Sequence, residues 1–147
     1  MEYTSGNFLC ETIVPSGELI VSRTDLKGII TYANDTFAEI SGYEVNELIG
    51  KPHSIVRHPD MPKSVFKELW NDLQTKGSWN GVVKNIRKDE GFYWVYAEIS
   101  GVFKNNVLIE YKSIRTPISF QDKVKYQLLY DKLKKDSKET TRKVIYN

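Results

Sequence analysis

The feature that most constrains the fold is a strict alternation from residue 92 to residue 103. Tyr93, Val95, Ala97 and Ile99 fall on one side of an extended chain, and Phe92, Trp94, Tyr96 and Glu98 fall on the other. A period of two sustained over this length belongs to a strand and not to a helix. Lys104-Asn105-Asn106 then makes a turn, and residues 107–114 are again β-rich. Upstream, residues 78–87 carry Trp79, Val82, Val83 and Ile86 and end in the turn Lys88-Asp89-Glu90-Gly91. Three strands joined by turns this short run antiparallel.

The first half of the chain adds a hairpin and several helices. Residues 18–23 and 28–33 are β-rich runs around Thr24-Asp25-Leu26-Lys27-Gly28, whose Asp and Gly mark the turn. Asn34-Asp35 can cap a helix over 36–41, with Phe37 and Ile40 inward and Gly42 as its stop. Residues 44–49 make a further helical turn, with Val45, Leu48 and Ile49 apolar and Gly50 ending it. Behind Pro62, a good first-turn residue, Val65, Phe66, Leu69, Trp70 and Leu73 recur at helical spacing as far as Lys76-Gly77. The sum is an α+β domain built on an antiparallel sheet.

A chain of 147 residues suits one such domain. We place it at 18–118. Residues 1–17 form an N-terminal arm, broken by Gly6, Pro15 and Gly17, with short apolar turns at 8–10 and 13–14. An arm of this kind is either frayed or docked. After Thr116-Pro117, residues 119–147 form a lysine-rich amphipathic helix and a polar tail. In the helix, Tyr126, Leu129, Tyr130 and Leu133 make a narrow apolar stripe. That stripe needs a cover: the domain itself, a second copy of the chain, or a helix of another protein.

Residues 51–62 stand apart. Within twelve positions they hold Pro52, Pro59 and Pro62, both histidines of the chain (His53 and His58), Arg57 and Asp60. The prolines fix φ and remove backbone donors, so no long regular element crosses this loop. A stiff loop carrying Arg, His and Asp is suited to an anionic ligand. It is equally suited to being a solvated connector.

Composition narrows the function. With 27% charged and 12% aromatic residues the chain is globular, and a net charge of +2 does not point to nucleic acid. No apolar run is long enough to span a bilayer, and the N-terminus lacks a signal-peptide pattern. The expected compartment is the cytoplasm. The single cysteine, Cys10, rules out an internal disulfide or a paired-cysteine metal site. Ser54 and Ser64 lie near His53 and His58, but there is no nucleophile-elbow sequence, no HExxH, no GxGxxG and no P-loop. Asp89-Glu90 sits in a turn. Nothing supplies an acid–base–nucleophile set, so the expectation is a protein that is not an enzyme.

The order of elements resembles a PAS domain. Thr31-Tyr32-Ala33-Asn34-Asp35-Thr36-Phe37 followed by Ser41-Gly42-Tyr43 is similar to the usual start of that fold. The loop 51–63 with Trp70, then Trp79-Asn80-Gly81-Val82-Val83-Lys84-Asn85 and Tyr93-Trp94-Val95, closely resembles the FAD-binding PAS domain of Aer-type bacterial aerotaxis receptors. The similarity covers about residues 19–117, and Ser113-Ile114-Arg115-Thr116 fits the last strand of that family.

The resemblance implies a five-stranded sheet of order 2-1-5-4-3, with helices over one face forming a flavin pocket. It implies that Arg57, His58 and Asp60 serve FAD binding and that Trp79 is a pocket tryptophan, with Asn34, His53, Phe66, Trp70, Asn85 and Tyr93 around the pocket. The chemistry of these residues agrees. Trp79 offers a flat wall, Arg57 and His58 can hold a pyrophosphate, and Asn85 offers a donor and an acceptor. Asp60 only accepts, so it suits orienting Arg57 or His58, or bonding a ribose. Light-sensing flavin PAS domains need a cysteine beside the flavin, and the matching region has none. Haem-binding PAS domains need an axial ligand, for which His53 and His58 are the candidates. A cofactor-free dimerisation or docking module and a fragment of an FAD-dependent enzyme are the other readings. The expected role is a redox or energy sensor for aerotaxis. As a stand-alone PAS protein it would work with a membrane chemoreceptor or its cytoplasmic signalling domain, peripheral to the inner membrane through that partner.

Overall fold

The computed structural model describes residues 10–139. The tip of the arm, including most of the apolar turn expected at 8–10, lies outside the described residues, as does the polar tail beyond 139.

Strands β1 (Ile20–Thr24) and β2 (Ile30–Ala33) form the first hairpin, with Ser22 opposite Ala33. Asp25 closes it: its Oδ1 accepts from the amides of Lys27 and Ile29, each at 2.9 Å. Such a side chain mimics a backbone turn. The helices follow as α1 (Asp35–Ser41), α2 (Val45–Leu48), a 3-10 turn at His53–Val56, and α3 (Lys63–Thr75). Then come β3 (Ser78–Ile86), β4 (Phe92–Lys104) and β5 (Val107–Thr116), and last α4 (Phe120–Asp136). The sheet has the order β2-β1-β5-β4-β3, antiparallel throughout, as expected. Asn105 and Asn106 turn the β4–β5 hairpin at φ 50° and 64°, a region that Asn tolerates.

The register of β3 and β4 sets Val83 against Val95 and Asn85 against Tyr93. These side chains face the helices. Phe37, Leu48, Val56, Leu69 and Leu73 are buried opposite them. Burying aliphatic and aromatic side chains of this size contributes about 1.5–3 kcal/mol each.

The outer face carries Trp94, and α4 covers it. The rings of Trp94 and Tyr130 stack with centroids 6.4 Å apart, the Tyr130 hydroxyl donates to the Val82 carbonyl, and Lys84 Nζ donates to Gln127 at 3.2 Å. Of the three covers open to the helix, its own domain is the one it takes. The buried stripe differs from the expected one. Tyr130 is buried and Tyr126 and Leu133 are partly so, but Leu129 is 41% exposed and Lys134 is 1% exposed. Position 134 lies one turn beyond Tyr130 on the same side of the helix. Its methylene stem packs there, and its ammonium lies 3.7 Å from Asp60.

The arm is docked where it is described. Phe92 donates its amide to Cys10, Thr12 donates to Phe92, Val14 is buried, and Glu11 pairs with Lys123 of α4 at 2.6 Å. Cys10 is exposed.

Candidate functional site

The loop 51–62 is tied down by two isolated bridges, one near its start and one at its middle. Ile29 bridges Pro52, and Arg57 bridges Asn85 on the edge strand β3. Between this loop, α3 and the inner face of the sheet lies a cavity of about 390 Å³. That volume is in the range of small-molecule sites.

Six of the ten expected site residues meet around it: His53, Arg57, Phe66, Trp70, Trp79 and Asn85. Trp79 lies flat across its own strand. A Cβ added at Gly81 would come within 2.5 Å of the indole, so the glycine is what lets the ring lie there. The indole N–H donates to Glu68 at 3.3 Å. Trp70 meets Tyr111 edge-on at 6.0 Å. The Arg57 guanidinium sits 3.8 Å over the Phe66 ring, and burial pulls its pKa down.

Four expected residues sit elsewhere. Asn34 is the N-cap of α1; its Oδ1 accepts from Val21 and Phe37 amides at 3.1 and 3.0 Å, and its Nδ2 donates to Leu19 at 2.9 Å. These three bonds join helix to hairpin. Tyr93 is buried completely beneath the cavity floor, where burial pushes its hydroxyl up and Arg115 and Asn85 act against it. His58, 2% exposed, accepts from the Asp60 amide at Nδ1 (3.0 Å), so Nε2 carries the ring hydrogen. Asp60 also places a carboxylate oxygen 3.7 Å from that Nδ1 and lies beside Lys134. With Nδ1 accepting, it is the Asp60 backbone amide, and not its carboxylate, that holds the His58 ring.

Sequence reasoning missed Arg115. It is 2% exposed, at the inner face of β5, one alternate position after Ser113. Its Nη1 bonds His53 Nε2 at 3.0 Å, its Nη2 donates to Ser22 Oγ at 2.7 Å, and its guanidinium lies 4.3 Å over Phe37. Arginine can only donate, so His53 Nε2 accepts and the ring is the neutral Nδ1–H tautomer. Burial, then the charges of Arg115 and Arg57, push the His53 pKa down to about 3. What exposure the ring retains is toward the cavity it lines. The signal available in the sequence was the inward phase of Tyr111, Ser113 and Arg115 along the last strand.

Two buried polar atoms here have no hydrogen-bond partner of normal geometry: Arg115 Nε and Tyr93 Oη. Leaving such a donor unpaired costs about 1–3 kcal/mol. The cavity is lined by aromatic and aliphatic side chains, Trp79 and Leu69 among them, together with polar ones that include Thr24, Lys27, Arg57 and Asn85. The cavity fits a flat, largely apolar ligand with one polar edge that accepts hydrogen bonds. Ligation of a haem iron by His53 Nε2 would break its bonds to Arg115 and Ser22. Among the described residues no cluster of His, Cys, Asp and Glu is arranged to hold a metal ion, and no helix is long and apolar enough to cross a membrane.

Residues 30–115 match the family described as PAS fold. The chain is 43% identical over 114 residues to the aerotaxis receptor of Escherichia coli strain K12, across 78% of this chain and 22% of the receptor. It is 30% identical over 91 residues to a nitrogen fixation regulatory protein of Klebsiella pneumoniae, across 62% of this chain and 18% of that one. The chain thus spans about a fifth of the length of these relatives. A light-oxygen-voltage domain, described with a flavin analogue, superimposes with a TM-score of 0.63 at 18% identity, covering 81% of this chain and 87% of that one. Both curated relatives carry the names of receptors or regulators.

Proposed function

This chain belongs to the PAS-fold family, and we propose from that premise that it binds FAD noncovalently and passes the flavin's redox state to a chemoreceptor by protein contact. It is then a sensor module of aerotaxis-type signalling and not an enzyme. The observation that carries this reading is the cavity itself, with aromatic side chains, polar groups and one orphaned donor, Arg115 Nε, in a chain similar to an aerotaxis receptor over 78% of this chain.

Trp79, Phe66 and Trp70 form the walls for the ring system. His53, held neutral by burial and then by Arg115, and Asn85 face its polar edge. Arg57 and His58 serve the pyrophosphate, with the Asp60 backbone amide orienting His58. Asn34 and Tyr93 support the site from behind, the first by fixing α1 and the second by filling the floor. When bound, FAD supplies a ring whose N5 changes from acceptor to donor on reduction. Asn85 meets either state, because its carboxamide carries both a donor and an acceptor and turns about one bond. The backbone bridge from Asn85 to Arg57 carries that rotation into the loop, and the Asp60–Lys134 contact carries it to α4, where a membrane receptor, its signalling domain or a second copy can read it. The domain division at 18–118 stands as part of this reading, with 119–147 as the reporting segment.

A visible spectrum of the purified protein tests it. Flavin bands near ~450 nm are expected for an oxidised flavin, and Trp79→Ala should lose them while the far-ultraviolet circular dichroism stays. A colourless protein that FAD cannot load sinks the proposal, and a Soret band would favour haem.

A further inference from the structure

The hairpin of β4 and β5 outruns the sheet. β3 begins at Ser78, opposite Ser100, and β1 ends at Thr24, opposite Tyr111. Residues 101–110 are therefore a two-stranded ribbon with neither β1 nor β3 beside it, closed by Asn105-Asn106. Two strands alone are marginal in water. These also carry apolar side chains with little cover: Phe103 is 63% exposed, Val107 61% and Ile109 40%. Leu26, 46% exposed, sits at the same end of the sheet, in the turn that follows Thr24.

The exposure is on both faces of the ribbon. Phe103 stands opposite Leu108, and Lys104 opposite Val107. Paired residues share a face and successive residues alternate, so Phe103 and Val107 point to opposite sides. Phe103 and Leu108 close over Gly101, where an added Cβ would lie 3.0 Å from the first and 2.6 Å from the second. The ring is thus held in place and still exposed.

Three lysines surround this end. Lys27 lies in the turn after β1, Lys76 at the end of α3 just before β3, and Lys104 on the ribbon; all are exposed. The carboxylates nearby are engaged. Asp25 takes the amides of Lys27 and Ile29, Glu110 takes the Thr31 hydroxyl and Arg23, and Asp72 pairs with Lys76 at 3.6 Å.

We propose that this end of the sheet docks on an anionic lipid surface, with Phe103, Val107, Ile109 and Leu26 in the headgroup boundary and the three lysines facing the phosphates. Shape and charge together favour that occupant. A specific protein interface takes about 20–30 residues a side, and a docked protein covers one face of a ribbon. A fluid apolar layer accepts side chains from both faces, and anionic headgroups complement the lysines around them. The contact does not depend on the flavin reading. It holds the domain at a membrane directly, in addition to any hold through a receptor.

Cosedimentation of the full-length protein with vesicles tests this, one set of phosphatidylcholine and one of equal parts phosphatidylcholine and phosphatidylglycerol. Binding to the second set is expected, weakened by salt and much weaker on the first. Phe103→Ser should cut it about tenfold and Lys104→Gln about fivefold, each with unchanged circular dichroism. Val107→Ser, on the other face, should weaken it too. Phe120→Ser, at a phenylalanine of α4 that is 73% exposed, should leave binding within about twofold. Absence of binding to the anionic vesicles overturns the proposal. An equal loss with Phe120→Ser overturns it as well, by moving the contact to α4. Full binding by Val107→Ser overturns the two-faced contact. A dimer in solution that Phe103→Ser dissociates, with no vesicle binding, would make the ribbon a protein interface instead.

Discussion

On the outer face of the sheet Trp94 is 4% exposed and stacks on Tyr130; on the inner face Trp79 is 5% exposed, lies across Gly81 and borders a cavity. Both tryptophans are buried on adjacent strands of one sheet, and they are buried for different ends. The outer one is covered by a helix whose tyrosine also bonds the edge strand, so its surroundings are filled by protein. The inner one is covered from one side only, by its own strand and Glu68, and its other face looks toward space left open. The polar groups follow the same division. Inside, Arg115, His53 and Ser22 form a network that leaves Arg115 Nε unpaired. Outside, the Tyr130 hydroxyl has its carbonyl. The division is not absolute, since Lys134 Nζ of α4 is also buried without a hydrogen bond and has the 3.7 Å ion pair with Asp60; what separates the faces is that Trp94 is covered by a helix and Trp79 borders a cavity.

The largest expected effect breaks the comparison directly. Trp94→Ala should cost about 3–5 kcal/mol in denaturant unfolding, and Trp79→Ala clearly less, because the cavity beside it already forfeits contacts. Equal losses would mean that the inner face is packed as tightly as the outer.

The next effect is one of pH. His53 titrates near 6.5 when unfolded and near 3 when folded. Below pH 6.5 the unfolded chain takes up a proton that the folded chain refuses, so the stabilisation present above 6.5 is lost as pH falls toward 3. With the ring opening onto the cavity, a loss of about 1–3 kcal/mol between pH 7 and pH 4 is expected. His53→Gln should remove that part of the slope. An unchanged slope in the variant would show that the inner network is wet and the ring readily charged.

The smallest effect sharpens the outer face. Tyr130→Phe keeps the stack on Trp94 and deletes one bond to Val82, for a loss of about 1 kcal/mol. A much larger loss would mean that this bond, and not the ring stack, holds α4 in place.

Much of this was legible in the residues. Alternation fixed β4, the Asn34-Asp35 and Gly42 signals bounded α1, and the proline loop at 51–62 stood out as a place where regular structure stops. That this loop shares a pocket with Trp79 and Asn85 came from the resemblance to aerotaxis-type PAS domains; the residues of the loop alone left a solvated connector equally open.

What the sequence could not give was position across long separations. Arg115 lies 62 residues from His53 and 93 from Ser22, and no local pattern says that three polar side chains on different strands and a loop will converge. The cover on Trp94 was likewise undecided. A helix with an apolar stripe can bury it on any matching surface, and only the docking of α4 showed that the surface is its own sheet, with Lys134 drawn inside to Asp60. Asn34 and Tyr93 matched a motif, but a motif does not distinguish a side chain that touches a ligand from one that holds the wall in place. Local propensity and period determined the elements and their order; the closure of a five-stranded sheet, which sets side chains from distant segments on one face, decided which of them share a site.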